Sequence, residues 1–249
     1  MYANEYSTDY DIININVNSG MAEETIVPEK TILEQRVKGK TSGYFQGIEY
    51  SSRVIPVSFA FNNTFDNDKL QNAIRWLCNQ DYYKPLIFSE NPNKIYYALV
   101  AESESKLIHN YNYSGYINLN FRCNDYYAFS KIYQKVYDLT NNTESGTIIE
   151  IMNLGDITIY PKLEIYKNTT EAFQINNLSN SNAEFKFNSI TNQTTVTVYN
   201  EEEIIESSNV GEYLNNQFND NYLALVRGNN RLKILGKAQL KITYQYKFL

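Results

Sequence analysis

The chain has 249 residues, 43% of them hydrophobic, which allows one large or two medium cores and excludes a disordered chain. A net charge of -6 with no basic half, arm or patch argues against specific nucleic-acid binding. No window reaches the roughly 18 apolar residues that a membrane helix needs, and MYANEYSTDYD lacks the basic and apolar regions of a secretory signal, so neither membrane insertion nor secretion is expected.

Tyrosine alone supplies 23 residues, and Asn, Ile and Thr are abundant, a mixture that favours strands joined by turns. In chain order, DIININV (11–17) alternates at period 2 as a half-buried strand does. Residues 21–40, with Pro28, read as a strand and a long loop, and Gly43-Tyr44-Phe45 follows. RVIPVSFAF (53–61) sets Val57, Phe59 and Phe61 against Ser58 and Ala60, with Pro56 expected near a sheet edge or bulge. Leu70, Ala73, Ile74, Leu77 and Cys78 form a helical stripe, so a helix is predicted over 66–79, capped by Asp66 or Asn67, with Trp76 flanking the stripe. PLIFS (85–89) and IYYALVA (95–101) flank the turn Glu90-Asn91-Pro92-Asn93. In the pairs Tyr82-Tyr83, Tyr96-Tyr97 and Tyr126-Tyr127, strand geometry buries one member and exposes the other. SGYINLNFRC (114–123) is a further strand with one buried face.

The polar, turn-prone DLTNNTESG (138–146) is the best linker, so two domains are expected, 1–137 and 138–249. Beyond it come strand-like runs at 147–152, 162–166, 184–188, 194–199, 222–226, 231–235 and 239–248, with a short helical or irregular piece within 209–218. Their spacing suggests a β-sandwich.

Chemistry-bearing constellations are scarce. His109 is the single histidine and reads as a loop surface residue; with two distant cysteines, an N/S zinc site is not expected. Cys78 and Cys123 form no CxxC pair, fit synthesis in a reducing compartment, and are expected to pack as free, small apolar residues. Glu201-Glu202-Glu203 with Glu206 reads as a solvated charge run. No GxSxG, Walker A, GxGxxG or HExxH motif occurs, and no carboxylate pair is selected, so no catalytic residue, metal or cofactor is assigned. A Tyr-rich β chain also suits sugar binding, but exposed tyrosine rings serve protein interfaces equally well.

Four stretches in order resemble the siphophage distal tail protein (Dit) family of phages that infect Gram-positive bacteria. They are GYFQGIEYSSRVIPVSFAF (43–61), DNDKLQNAIRWLC (66–78), KPLIFSENPNKIYYALV (84–100) and NLNFRCNDYYAFS (118–130). Tyr126 stands where that family usually has a proline. Asn153-x-Gly155-Asp156 before Tyr160-Pro161, and LVRGNNRLKI (225–234), extend the resemblance into the second half.

The resemblance implies a mainly β, non-enzymatic virion subunit of the phage tail tip, made in the host cytoplasm. Its first domain would be a β-sandwich with one helix and a protruding hairpin that closes a homohexameric ring. Its second would be a galectin-like sandwich. Implied partners are other copies of itself, the tail tube protein, the tail-tip or tail-associated lysin protein, and receptor-binding protein. The alternative is a carbohydrate- or receptor-binding module. Ring contacts are expected in the first domain: Ile13 and Ile15, Val54 and Val57 on strand edges, the Glu90, Asn91, Pro92 and Asn93 tip, and Tyr96 and Tyr97 behind it.

Overall fold

The computed structural model describes residues 1–15, 29–101 and 105–249; Asn16, Val17 and the 21–28 part of the second predicted strand lie outside the described residues. It divides into two compact units, residues 1–129 with Leu249, and residues 130–248.

The first unit contains β1 (Ile12–Ile15), β2 (Lys30–Gln35), β3 (Tyr44–Tyr50), β4 (Val54–Phe61), α1 (Asn67–Cys78), β5 (Lys84–Leu86), β6 (Tyr96–Val100), β7 (Lys106–His109), β8 (Gly115–Cys123) and β9 (Ala128–Phe129). Its main sheet runs β1-β4-β8-β6-β5, and β7 shares with β6 one edge of β8. The period-2 alternation read from the sequence governs the packing. Val57, Phe59 and Phe61 of β4 and Ile117, Leu119 and Phe121 of β8 all point into the core. The layer against them is α1 together with the N-terminal segment.

Asp66 caps α1, its side chain accepting from the Lys69 N–H at 2.8 Å. The buried stripe is Ala73, Trp76 and Leu77; Leu70 and Ile74 are only half-buried and Cys78 is exposed. The indole sets this rotation. Trp76 donates its ring N–H to the Tyr2 carbonyl at 3.1 Å and stacks on Tyr10 at 4.5 Å and 6°. Turning the largest side chain inward carries Cys78 out of the core, against the expectation that it packs there.

The second unit contains β10 (Tyr133–Asp138), β11 (Thr147–Asn153), β12 (Lys162–Lys167), β13 (Glu171–Asn177), β14 (Ala183–Ile190), β15 (Thr194–Tyr199), β16 (Ile204–Ser207), β17 (Gly228–Leu235), β18 (Gln239–Tyr244) and β19 (Lys247–Phe248). A five-stranded sheet, β10-β18-β12-β15-β16, and a four-stranded sheet, β11-β17-β13-β14, enclose one core of Ile, Leu, Val and Phe. This is the sandwich that the strand spacing suggested. The chain divides earlier than 137/138, because Tyr133 and Tyr137 of β10 pack on this second core. Asp138–Gly146 is a turn between the two sheets, tied down by buried Asn142, which donates to the carbonyls of Ile234 (2.9 Å) and Gly236 (3.0 Å).

Residues 222–226 are not a ladder strand. A single bridge pairs Leu225 with Ile159 through two backbone hydrogen bonds, and four buried asparagines hold the rest of their backbone. Asn153 donates to the Leu225 carbonyl, Asn177 to that of Ala224, and Asn230 to that of Val226, while Asn200 accepts from the Leu223 N–H. Apart from that bridge, side-chain amides meet the backbone accounting that a neighbouring strand otherwise meets.

Candidate assembly surfaces

The surface residues singled out from the sequence fall into two groups. Ile13 lies on β1, the edge strand of the main sheet, and is 41% exposed; Ile15 beside it is half-buried. Val54 is exposed at the start of β4, and the Glu90, Asn91, Pro92 and Asn93 tip is exposed throughout. Val57 is not a surface residue: it is 5% exposed and belongs to the core. Nor is β4 an edge, since β1 and β8 flank it; Pro56 sits opposite Asn120 of β8, and the positions that would face it on the β1 side lie outside the described residues. The missing proline N–H therefore breaks no described ladder bond.

The hairpin behind the Glu90 tip is compact. Its first strand has three residues, and Leu86 and Ala98 are buried. Tyr96 and Tyr97 are both half-buried, where one in and one out was expected. Each face of this strand is covered. Tyr96 meets Phe88 edge-on at 6.2 Å, and Tyr97 meets Phe129 at 5.5 Å.

The sequence reading missed the most exposed element. Strands β2 and β3 form a hairpin of their own, paired from Lys30↔Tyr50 to Gln35↔Tyr44, and neither contributes to either core. Ile32 (63% exposed) sits opposite Ile48 (44%), and Leu33, Tyr44 and Phe45 are exposed as well. An isolated two-stranded ribbon is marginally stable, so this much apolar surface calls for a covering partner. The tip carries Arg36, Lys38 and Lys40, with Gly39 at φ +92° making the turn. The signal was present: two strand-like runs flank a Lys-Gly-Lys-Thr-Ser-Gly stretch.

The base of this hairpin is anchored by aromatic rings. Tyr50 stacks on Tyr126 at 4.5 Å and 11°, and the Tyr126 hydroxyl donates to that of Tyr127 at 2.9 Å. Asp125 Oδ1 accepts from the N–H groups of Tyr126 (2.7 Å) and Tyr127 (3.3 Å). Both members of this pair are half-buried, and burial with the shared hydrogen bond pushes the Tyr127 phenol well above its ordinary range. A tyrosine in place of a proline here gives the hairpin a stacking platform.

The titratable groups are otherwise dispersed. No cluster of three or more His, Cys, Asp or Glu suited to a metal occurs among the described residues. His109 closes β7 rather than lying in a loop; it is exposed, with Nδ1 3.1 Å from the Asn110 carbonyl oxygen. Cys123 is buried and free, its thiol pushed up to about 12 by burial. A cleft of about 730 Å³ between the N-terminal segment and α1 is lined by both signs of charge. Its Asp11 pairs with Lys69 at 2.9 Å and its Glu5 accepts from the Tyr10 hydroxyl. No helix among the described residues is long and apolar enough to cross a membrane.

Two β-rich units, buried asparagines that tie their connections and an apolar hairpin with exposed side chains are the features to set against known proteins. The chain belongs to the phage tail protein family. Residues 1–125 match the model of the phage tail protein N-terminal domain and residues 127–244 that of the phage tail C-terminal domain. It is 30% identical over 249 residues to the SPbeta prophage-derived uncharacterized protein YomH of Bacillus subtilis (strain 168), covering 100% of this chain and 97% of that one. Its fold is that of SPP1 Dit (gp 19.1), described as a paradigm of the hub adsorption apparatus in Gram-positive infecting phages. That match has a TM-score of 0.70 at 19% identity and covers 100% of this chain and 98% of the other. A chain of the phage P2 baseplate in its activated conformation aligns at a TM-score of 0.45 and 9% identity, over 97% of this chain and 93% of that one, too distant to carry an argument.

Proposed function

We propose that this phage tail protein is a hub subunit of the tail tip that closes into a homohexameric ring. On this reading the ring joins the tail tube protein to the tail-tip or tail-associated lysin protein and offers its periphery to receptor-binding protein. The observation that carries the reading is the β2–β3 hairpin. It is a projecting ribbon with Ile32, Ile48, Leu33 and Phe45 uncovered, and a repeated copy of the chain supplies a repeated surface to cover it. The hub role of SPP1 Dit, a protein of the same fold, supports it. So does the dispersal of titratable groups, which suits a structural part rather than an enzyme. The sugar-binding alternative finds little footing in the second unit, whose sequence contains neither Trp nor His.

Native mass spectrometry of the purified chain is expected to find six-subunit rings. Replacing Ile32 and Ile48 together by Asp is expected to leave a folded protein, by circular dichroism, that no longer assembles. A wild-type chain that stays monomeric at all concentrations would defeat the reading.

A further inference from the structure

Strand β11 is an edge of the four-stranded sheet of the second unit, paired with β17 alone. The direction of its backbone groups is legible from that neighbour. Arg231, opposite Glu150, donates its N–H to Ser179 Oγ at 3.0 Å, and its carbonyl accepts from the Leu178 N–H at 2.9 Å, both on the β13 side. Glu150 therefore turns its own N–H and carbonyl away from β17, and by the two-residue period so do Ile148 and Met152. All three residues are exposed, Ile148 by 47% and Met152 by 43%. Among the described residues, one bond reaches this side, from the flexible Lys135 Nζ to the Glu150 carbonyl at 3.2 Å. The opposite edge of the same sheet is sealed: Asn219 and Asn221 bond the backbone of Glu184 and Lys186 on β14. An open edge with aliphatic side chains along it is a template for strand addition.

The order of side chains on β11 fits one occupant, a second β11. When two such strands run antiparallel about Glu150, Ile148 of each copy lies opposite Met152 of the other, and the outward N–H and carbonyl groups of the two copies face each other. Apolar side chains then meet apolar ones on both sides of the axis. The two Glu150 carboxylates meet at the axis, where like charges repel, but each has its own Arg231 guanidinium 3.7 Å away to offset the other.

We infer that β11 pairs antiparallel with β11 of a second copy of this chain, across a two-fold axis at Glu150, joining two four-stranded sheets into one. The contact is isologous, so it lies outside the cyclic contacts of a ring and stands independently of the ring reading. It doubles whatever those contacts build: two rings if rings form, two chains if they do not.

Sedimentation velocity of the full chain over a dilution series tests the pairing in wild type, Ile148→Lys and Ile148→Pro, with circular dichroism to check that each variant is folded. Ile148→Lys places a cation opposite Met152 twice per contact. Ile148→Pro removes only the outward N–H, so no bond to β17 is lost. Both are expected to weaken the pairing by about tenfold or more, while any ring survives as a single ring. Mild oxidation of Glu150→Cys and Met152→Cys, each in a Cys78→Ser chain, tests the axis. Residues opposite each other in a ladder lie within disulfide reach, so Glu150→Cys is expected to cross-link to itself and Met152→Cys is not. A wild type that never pairs, or variants that pair as wild type does, would overturn the inference. Loss of pairing in Ile148→Lys but not in Ile148→Pro would also overturn it, by showing a side-chain contact without a shared ladder. Cross-linking through Met152→Cys in place of Glu150→Cys would refute the axis.

Discussion

Replacing Asn230 by Ala removes a side-chain amide of the second unit that makes four hydrogen bonds. Oδ1 accepts from the Val226 N–H and from Asn177 Nδ2, both at 2.9 Å; Nδ2 donates to the carbonyls of Val226 (2.7 Å) and Gly228 (3.1 Å). The residue is 0% exposed, so water does not replace these contacts without structural opening. Truncation orphans two donors, and each buried unsatisfied donor costs about 1–3 kcal/mol. The two carbonyls add less, because each has a second lone pair. The sum is roughly 3–4 kcal/mol, which for a unit of this size corresponds to a fall in Tm of roughly 10 °C. Differential scanning calorimetry of the full chain measures it. Asn230→Asp is expected to be at least as harmful, since it keeps the acceptor, loses both donors and buries a charge. A fall of less than about 2 °C for the alanine variant would refute the claim that side-chain amides hold residues 222–228 in place.

Exposed Cys78 is expected to react with a thiol reagent in the native protein. Buried Cys123 is expected to react only after denaturation, since burial raises its thiol to about 12 and keeps it protonated through neutral pH. Two free thiols without reductant is the expected total. The half-buried Glu212 accepts from Ser207 Oγ at 2.6 Å, from Thr191 Oγ1 at 2.5 Å and from Asn209 Nδ2 at 3.2 Å, and the hydroxyl bonds lead in lowering its pKa. A depressed carboxyl stabilises above its unfolded value of 4.5 and loses that contribution as pH falls through the lower folded value. Glu212→Gln is therefore expected to flatten the acid limb of the stability profile by less than about 1 kcal/mol, given its exposure to solvent. Asp66→Ala, which removes the bond to the Lys69 N–H, is expected to cost about 1 kcal/mol in urea unfolding.

Much of this architecture was legible because burial follows local periods. The alternation through Val57, Phe59 and Phe61, the strand ending at Cys123 and the capped helix all carry their pattern within about ten residues. Three strands of the second unit were not seen. In β13 only Phe173 and Ile175 are apolar and buried, between polar ends, and the third inward residue is Asn177, whose burial depends on distant partners. In β10 the inward side chains are tyrosines while Val136 points out at 71% exposure, which inverts the usual pattern. β16 follows the glutamate run directly, with Ile204 48% exposed. Conversely, 222–226 has the composition of a strand but makes only one bridge, Leu225 with Ile159, and finds its other partners in side-chain amides. Exposure sorts the ring-contact candidates into two sets. Ile13, Val54 and the Glu90–Asn93 tip are exposed, while Val57, Tyr96 and Tyr97 are occupied by packing. Sequence alternation tells which side of a strand an apolar residue takes, not whether that side is covered, and β2–β3 is the case where it is not.

The buried asparagines also make the second unit a practical display scaffold. Asn177 and Asn230 hold the ends of their loops from inside, through Ser179 N–H, Ala224 and Val226, so the turn between them and solvent carries little of the fold. Asn180–Asn182 is such a turn, closed by the Asn180 N–H on the Asn177 carbonyl and the Ala183 N–H on the Asn180 carbonyl. A peptide epitope inserted there hangs outward from two pinned ends, and a repeated subunit would present it at regular spacing.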